Sequence, residues 1–220
     1  CKMQWTAKVL SFIFHPIFII AYSFCFYFNI DCFYNHLINI SAPNLYWALF
    51  TFLLMMGIVF PSITMIIMYR SKIISSFSIP IRKERIPILL LVIIYYSMIY
   101  YIFRHWNNNL FNLLSPYMSF LLGGIITLLL ATIITLKWKI SLHALAISGF
   151  SGGMLGLLLI SGEVYNLQEM MIYNTILLLL TGLVSYSRLI LNTHTISQVI
   201  VGLVLGFSIE LSFVLLQVRI

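Results

Sequence analysis

The chain has 220 residues, of which 62% are hydrophobic and only 8% charged, with a formal net charge of +7 and a mean hydropathy of +1.06. A soluble domain is about a quarter charged, so this composition excludes a water-soluble globule and points to a polytopic membrane protein. Apolar stretches of about twenty residues recur throughout; they exclude an outer-membrane barrel, whose strands would alternate polar and apolar, and the bases scattered between them exclude nucleic acid as a partner.

The hydropathy pattern predicts an all-α polytopic membrane bundle of six to seven transmembrane helices, forming a single integral membrane domain over 1–220. Spans are expected near 9–29, 45–69, 87–103, 116–136, 143–161, 172–190 and 196–217. Lys2 and Lys8 precede the first span as in a signal peptide. Its apolar run is nevertheless too long and lacks a small-residue cleavage site, so it reads as a retained helix, with His15-Pro16 marking a kink. The segment from Arg70 to Arg85 carries five bases, a serine cluster and Pro80, and reads as a loop or surface helix. His36 and His105 fall in loops, and Glu210 in the last span is an intramembrane acid without an evident mate. Cys1, Cys25 and Cys32 form no metal-ligand spacing, so no metal, disulfide or cofactor is assigned.

On these spans, Lys2, Lys8, Arg70, Lys72, Arg82, Lys83, Arg85, Lys137, Lys139 and Arg188 lie on one face, and only Arg104 and Arg219 on the other. Bases are retained on the cytoplasmic side during insertion. The amino terminus and the basic face are therefore placed in the cytoplasm, with Asp31, Glu163 and Glu169 opposite, in a multi-pass protein of the bacterial inner membrane.

The most informative stretch runs from Ser187 to Gly202. Arg188 and His194 stand where one helix leaves the membrane and the next enters, so both can point into one pocket at the surface. His194 and Gln198 are four apart on one helix face, where the amide can orient the imidazole. A fixed guanidinium beside an oriented imidazole suits a phosphate ester: the first binds phosphoryl oxygens bidentately and the second attacks phosphorus. Gly202 and Gly206 form a small-xxx-small pair that allows close packing against a neighbouring helix.

Ser187, Arg188 and His194 match, in identity and spacing, the third motif (S-R-x5-H-x3-D) of the type 2 phosphatidic acid phosphatase and vanadium haloperoxidase superfamily, which this sequence resembles over about 82–206. The first family motif, K-x6-R-P, has a compressed counterpart in Lys83-Glu84-Arg85-Ile86-Pro87. The second, P-S-G-H, is approximated by Lys139-Ile140-Ser141-Leu142-His143, followed by Gly149, Gly152, Gly153 and Gly156. All three segments fall on the basic face, as one composite site requires.

The resemblance implies a membrane hydrolase acting on a phosphomonoester or pyrophosphate of a lipid, such as phosphatidate, a polyprenyl pyrophosphate or a lipid A phosphate, without a metal. In that scheme His194 is the nucleophile, oriented by Gln198, and His143 protonates the leaving oxygen. Arg188, Lys83, Arg85, Lys139 and Ser187 bind the phosphate. Gln198 stands where the family has aspartate; glutamine accepts a hydrogen bond but supplies no charge. Loss of the analogous acid in serine-protease triads lowers turnover by roughly 10^4. A second reading therefore stands beside the first, a non-catalytic protein that binds or carries a phospholipid or polyprenyl phosphate.

Overall fold

The computed structural model describes residues 2–77, 79, 81–106, 115–160 and 166–218. Arg219, Glu163 and Pro80 lie outside these residues. Among the described residues the protein is helical, without β-strands. Leu45–Arg70, Arg82–His105, Pro116–Lys137, Leu142–Ile160, Leu167–Ile190 and Ile196–Leu215 are each long and apolar enough to cross a membrane, and the bent pair Met3–Ile13 and Pro16–Asn29 makes a seventh crossing if it passes as one span. At about 1.5 Å per residue, such helices match a hydrocarbon core about 30 Å thick. Ile133, Leu179 and Val204 stand exposed on their outer faces, where lipid is the solvent. The protein is thus an all-α, multi-pass integral membrane protein, as its composition demands.

The expected first span, 9–29, is two helices, α1 (Lys2–Ile13) and α2 (Pro16–Asn29), meeting at 62°. Pro16 restricts the residue before it to extended backbone, and His15 takes φ −65°, ψ 139°. The His15 ring then caps α2, with Nδ1 accepting from Ile17 N–H at 3.4 Å. Trp5 and Phe12 of α1 are 68% and 72% exposed, while Ala7 and Ser11 are buried. The buried side is tied to the bundle by a 3.0 Å contact between the Ser11 and Ser187 hydroxyls.

A short helix, α3 (Phe33–Ser41), occupies the next connection, so His36 is helical rather than in a loop. Asp31 and Glu169 meet at this end of the bundle. Asp31 N–H reaches Glu169 Oε2 at 3.2 Å, and Asp31 Oδ1 meets His36 Nε2 at 2.7 Å.

Helices α4 (Leu45–Leu54) and α5 (Phe60–Arg70) are one continuous span joined by a π-helical turn, Met55–Val59. Pro61 has no N–H to continue the ladder, and the turn widens just before it, with Phe60 N–H bonding five residues back to Met55 O. Beyond α5, Lys72 (φ 58°) turns the chain, and Glu84 Oε2 anchors the loop by accepting from Ser75 N–H at 3.0 Å and Ser75 Oγ at 2.9 Å. Helix α6 (Arg82–Trp106) begins five residues before the expected span at 87, which puts Arg85 on its first turns and His105 on its last.

The remaining helices are α7 (Ser115–Lys137), α8 (Leu142–Ile160), α9 (Leu167–Ile190) and α10 (Ile196–Leu215). Helix α8 is buried along most of its length and packs on α10 through glycine. A Cβ at Gly202 would stand 2.8 Å from Ser141 O, and Cβ atoms at Gly206 and Gly152 would run into Leu145 O and Phe207 O. The two backbones are therefore in contact, the geometry for which the Gly202/Gly206 spacing is suited. Ser141 N–H also donates to Gln198 O at 3.2 Å, which fixes the starts of both helices side by side.

Candidate functional site

At the end of the bundle opposite Asp31 and Glu169, the break at His15, the start of α6, the start of α8 and the 191–195 turn surround one cavity of about 560 Å³. Small-ligand sites usually measure about 300–1,000 Å³. Lys8, His15, Arg85, His143, Arg188 and His194 line it, and below them the wall is mainly apolar, with Ile20, Leu89, Val92 and Phe120 among its residues.

The 191–195 turn is shaped by its own hydrogen bonds. Helix α9 ends at Ile190, Asn192 adopts φ 51°, and Thr193 returns both its N–H (3.3 Å) and its hydroxyl (3.1 Å) to Arg188 O. Thr195 then caps α10 in a capping box with Gln198, a Thr-x-x-Gln pattern readable in the sequence. Gln198 therefore has two tasks. Its Oε1 accepts from Thr195 N–H at 3.3 Å and faces His194 Nδ1 at 3.2 Å. Because the backbone donor fixes which amide atom is the oxygen, Nδ1 carries the imidazole proton and Nε2 keeps a free lone pair. Burial pushes the His194 pKa down to about 4; Lys139, Arg188 and Arg85 push the same way, and the Gln198 hydrogen bond opposes them. His194 is neutral at pH 7, the state a nucleophile needs.

Arg85 is half-buried and held by carbonyls, Nε on Ile79 O at 3.0 Å and Nη1 on Ile140 O at 3.4 Å. Lys139 Nζ donates to Thr193 O at 3.0 Å. Burial, then Arg85 and Arg188, lower its pKa. Arg188, on the last turn of α9, differs from both: its buried Nε has no hydrogen-bond partner among the described residues. Among the described residues no carboxylate forms an ion pair with these cations. Among the described residues the one ion pair is His36 with Asp31, at the other end of the bundle.

His143 Nε2 lies 3.1 Å from Ser11 O. A carbonyl only accepts, so Nε2–H is directed to α1, and a proton for a leaving group has to pass through Nδ1. Against it, at 5.2 Å between centroids and nearly perpendicular (88°), stands His15. With Nδ1 of His15 accepting from Ile17 N–H, its Nε2–H is left to donate.

Of the residues expected from sequence, Arg85, His143, Arg188 and His194 share the cavity; Lys139 and Gln198 do not line it but hold the 191–195 turn beside it through Thr193 O and His194 Nδ1. Two others have neither place. Lys83 is exposed and does not line the cavity, because on α6 it stands two residues, over half a helical turn, from Arg85. Ser187 is 2% exposed and bonded to Val184 O (2.6 Å) and Ser11, so it fastens α1 to α9 instead of meeting a ligand. Lys8, Ser11 and His15 were missed. The available signal was His15-Pro16 itself, since a histidine before a proline at a helix start becomes a cap whose ring stays at the membrane surface.

The fold and this cavity define a multi-pass membrane protein with a half-buried cationic site at one end of its helix bundle. Compared with protein-family models, with curated proteins and with solved structures, the chain matches none.

Proposed function

We propose that this protein binds the phosphate of a membrane lipid in the cationic end of the cavity and hydrolyses it through His194, in the manner of the type 2 phosphatidic acid phosphatases that its motifs resemble. The observation that carries the reading is Arg188, half-buried with an unpartnered Nε, beside Arg85 and Lys139 and, among the described residues, without an ion-paired carboxylate. Uncompensated buried charge is costly unless an anion completes it, and a guanidinium favours a planar or tetrahedral oxyanion.

In the proposed reaction Nε2 of His194 forms a bond to phosphorus while the bond from phosphorus to the lipid oxygen breaks. The departing oxygen takes a proton that enters from solvent and is relayed through Nδ1 of His143 or Nε2 of His15. Water then attacks the phosphohistidine, losing its proton back to solvent by the same histidines, to release inorganic phosphate and restore His194. Arg85, Lys139 and Arg188 hold the phosphoryl oxygens, whose charge they stabilise. The apolar wall receives the lipid chain. A second reading, binding without hydrolysis, is favoured by Gln198, which orients His194 but brings no charge to support a cationic intermediate.

Purified wild type and His194→Ala, assayed for phosphate release from phosphatidate and from a polyprenyl pyrophosphate, separate these. Hydrolysis predicts release by wild type and a loss on the order of 10^3 or more in the variant. Equal release by both refutes the mechanism, and lipid binding without release selects the binding protein. Residence in the bacterial inner membrane, with the basic end cytoplasmic, belongs to the same proposal. It predicts that a thiol at Ser71→Cys, in a background free of native cysteines, is labelled only after the membrane is permeabilised.

A further inference from the structure

The cavity is polar at both ends, and a phosphate accounts for only one of them. Glu210 lines the inner part, is 3% exposed, and has an Oε2 without a hydrogen-bond partner among the described residues. Both neighbouring helices are bare where it stands. A Cβ at Gly123 would lie 2.5 Å from Oε2, one at Gly124 3.3 Å from Oε1, and one at Gly149 3.1 Å from Cγ. Thr127, one turn further along α7 and 5% exposed, also lines the cavity, and its Oγ1 too is unpartnered. Two buried polar groups thus face one cavity unsatisfied, and an intramembrane acid of this kind marks a functional site by default.

Depth narrows the ligand. Gly149 is six residues along α8 from His143, about 9 Å deeper at about 1.5 Å per residue. A lipid whose phosphate sits among Arg85, Arg188 and His194 places at that depth the atoms several bonds from phosphorus. In an acylglycerol or sphingoid phosphate these include an ester carbonyl, an amide or a hydroxyl. In a polyprenyl phosphate they are hydrocarbon, which would leave both Glu210 and Thr127 unpaired. Resting on the lipid-phosphate reading, we infer that Glu210 and Thr127 form a second subsite that hydrogen-bonds the ester, amide or hydroxyl of an acyl-bearing lipid phosphate and so selects it over a polyprenyl phosphate.

The test measures affinities of the purified full chain for dioleoyl phosphatidate, a polyprenyl monophosphate and inorganic phosphate. Wild type should favour phosphatidate over the prenyl lipid by about tenfold. Glu210→Leu should abolish that preference by weakening phosphatidate alone, Glu210→Gln should keep most of it, and inorganic phosphate should bind all three equally. Thr127→Val, nearly isosteric, should lower the preference by about threefold and decides the matter if Glu210→Leu does not fold. Equal effects on both lipids, or no preference in wild type, overturn the subsite while leaving the phosphate site standing. Failure of wild type to bind any of the three ligands overturns both.

Discussion

Replacing Gln198 by Glu keeps the side chain's length and supplies a charge beside His194. Glutamate accepts hydrogen bonds as the amide does, so it can take both Thr195 N–H and His194 Nδ1–H, now at 3.3 and 3.2 Å from Oε1. It is also the other common residue at this capping-box position, so the start of α10 is preserved. A unit negative charge about 4 Å from the imidazolium is worth about 4 kcal/mol at an effective dielectric constant of about 20. At about 1.36 kcal/mol per pH unit this is about 3 units, a ceiling near the cavity mouth, and the His194 midpoint should climb from about 4 towards neutrality. NMR titration of imidazole-labelled protein, with His194→Gln identifying one of the five histidine signals, measures this directly. In wild type the unfolded chain holds the proton more tightly than the folded one between about pH 6.5 and 4. His194 therefore contributes stability above 6.5 that is lost on acidification towards 4, and Gln198→Glu should close most of that window. If the protein hydrolyses its ligand, phosphate release should rise by about 10^2 or more, with the acid limb of kcat/KM moving upward in step with the titration. A wild-type midpoint near 6.5, or one unmoved by the substitution, would refute the account of how Gln198 and burial set His194.

Arg188→Ala should weaken binding of a lipid phosphate by about 100-fold, the loss of one charge-assisted bidentate contact, whereas Lys83→Ala should change it by less than twofold; calorimetry on the purified variants checks both. His15→Phe keeps an aromatic ring but removes Nε2–H, and should lower the same affinity about fivefold. His143→Phe should instead lower the melting temperature, by the equivalent of about 1 kcal/mol, as the bond to Ser11 O is lost; unchanged melting would show that this contact does not hold α1. Gly206→Val drives a side chain into Leu145 O and should destabilise the protein by about 3 kcal/mol or more. Gly182 has nothing within 4 Å of a new Cβ, so Gly182→Ala should be neutral or gain up to about 1 kcal/mol of helix propensity, measured by thermal unfolding in detergent.

Hydropathy over windows of about twenty residues is a local property, and it determined the membrane class, the helical crossings and the separation of basic from acidic ends. Spacing on one helix is local too, and the close packing of α10 followed from Gly202 and Gly206. His194, expected on the same helix as Gln198, instead lies in the turn before the Thr195 cap, and Gln198 reaches it through the capping box rather than across a shared helix face. Which residues face the cavity was not local. In a soluble protein polar residues mark the outer face of a helix, but here the lipid face and the packed face are equally apolar, and the pattern does not say how each helix is turned about its axis. Tertiary packing alone chose Arg85 over Lys83, turned Ser187 into a tie for α1, set His15 against His143, and joined His143 to the Ser11 carbonyl, 132 residues away in the chain. It also placed three glycines of α7 and α8 around Glu210, a carboxyl whose surroundings, unlike its identity, no stretch of sequence records.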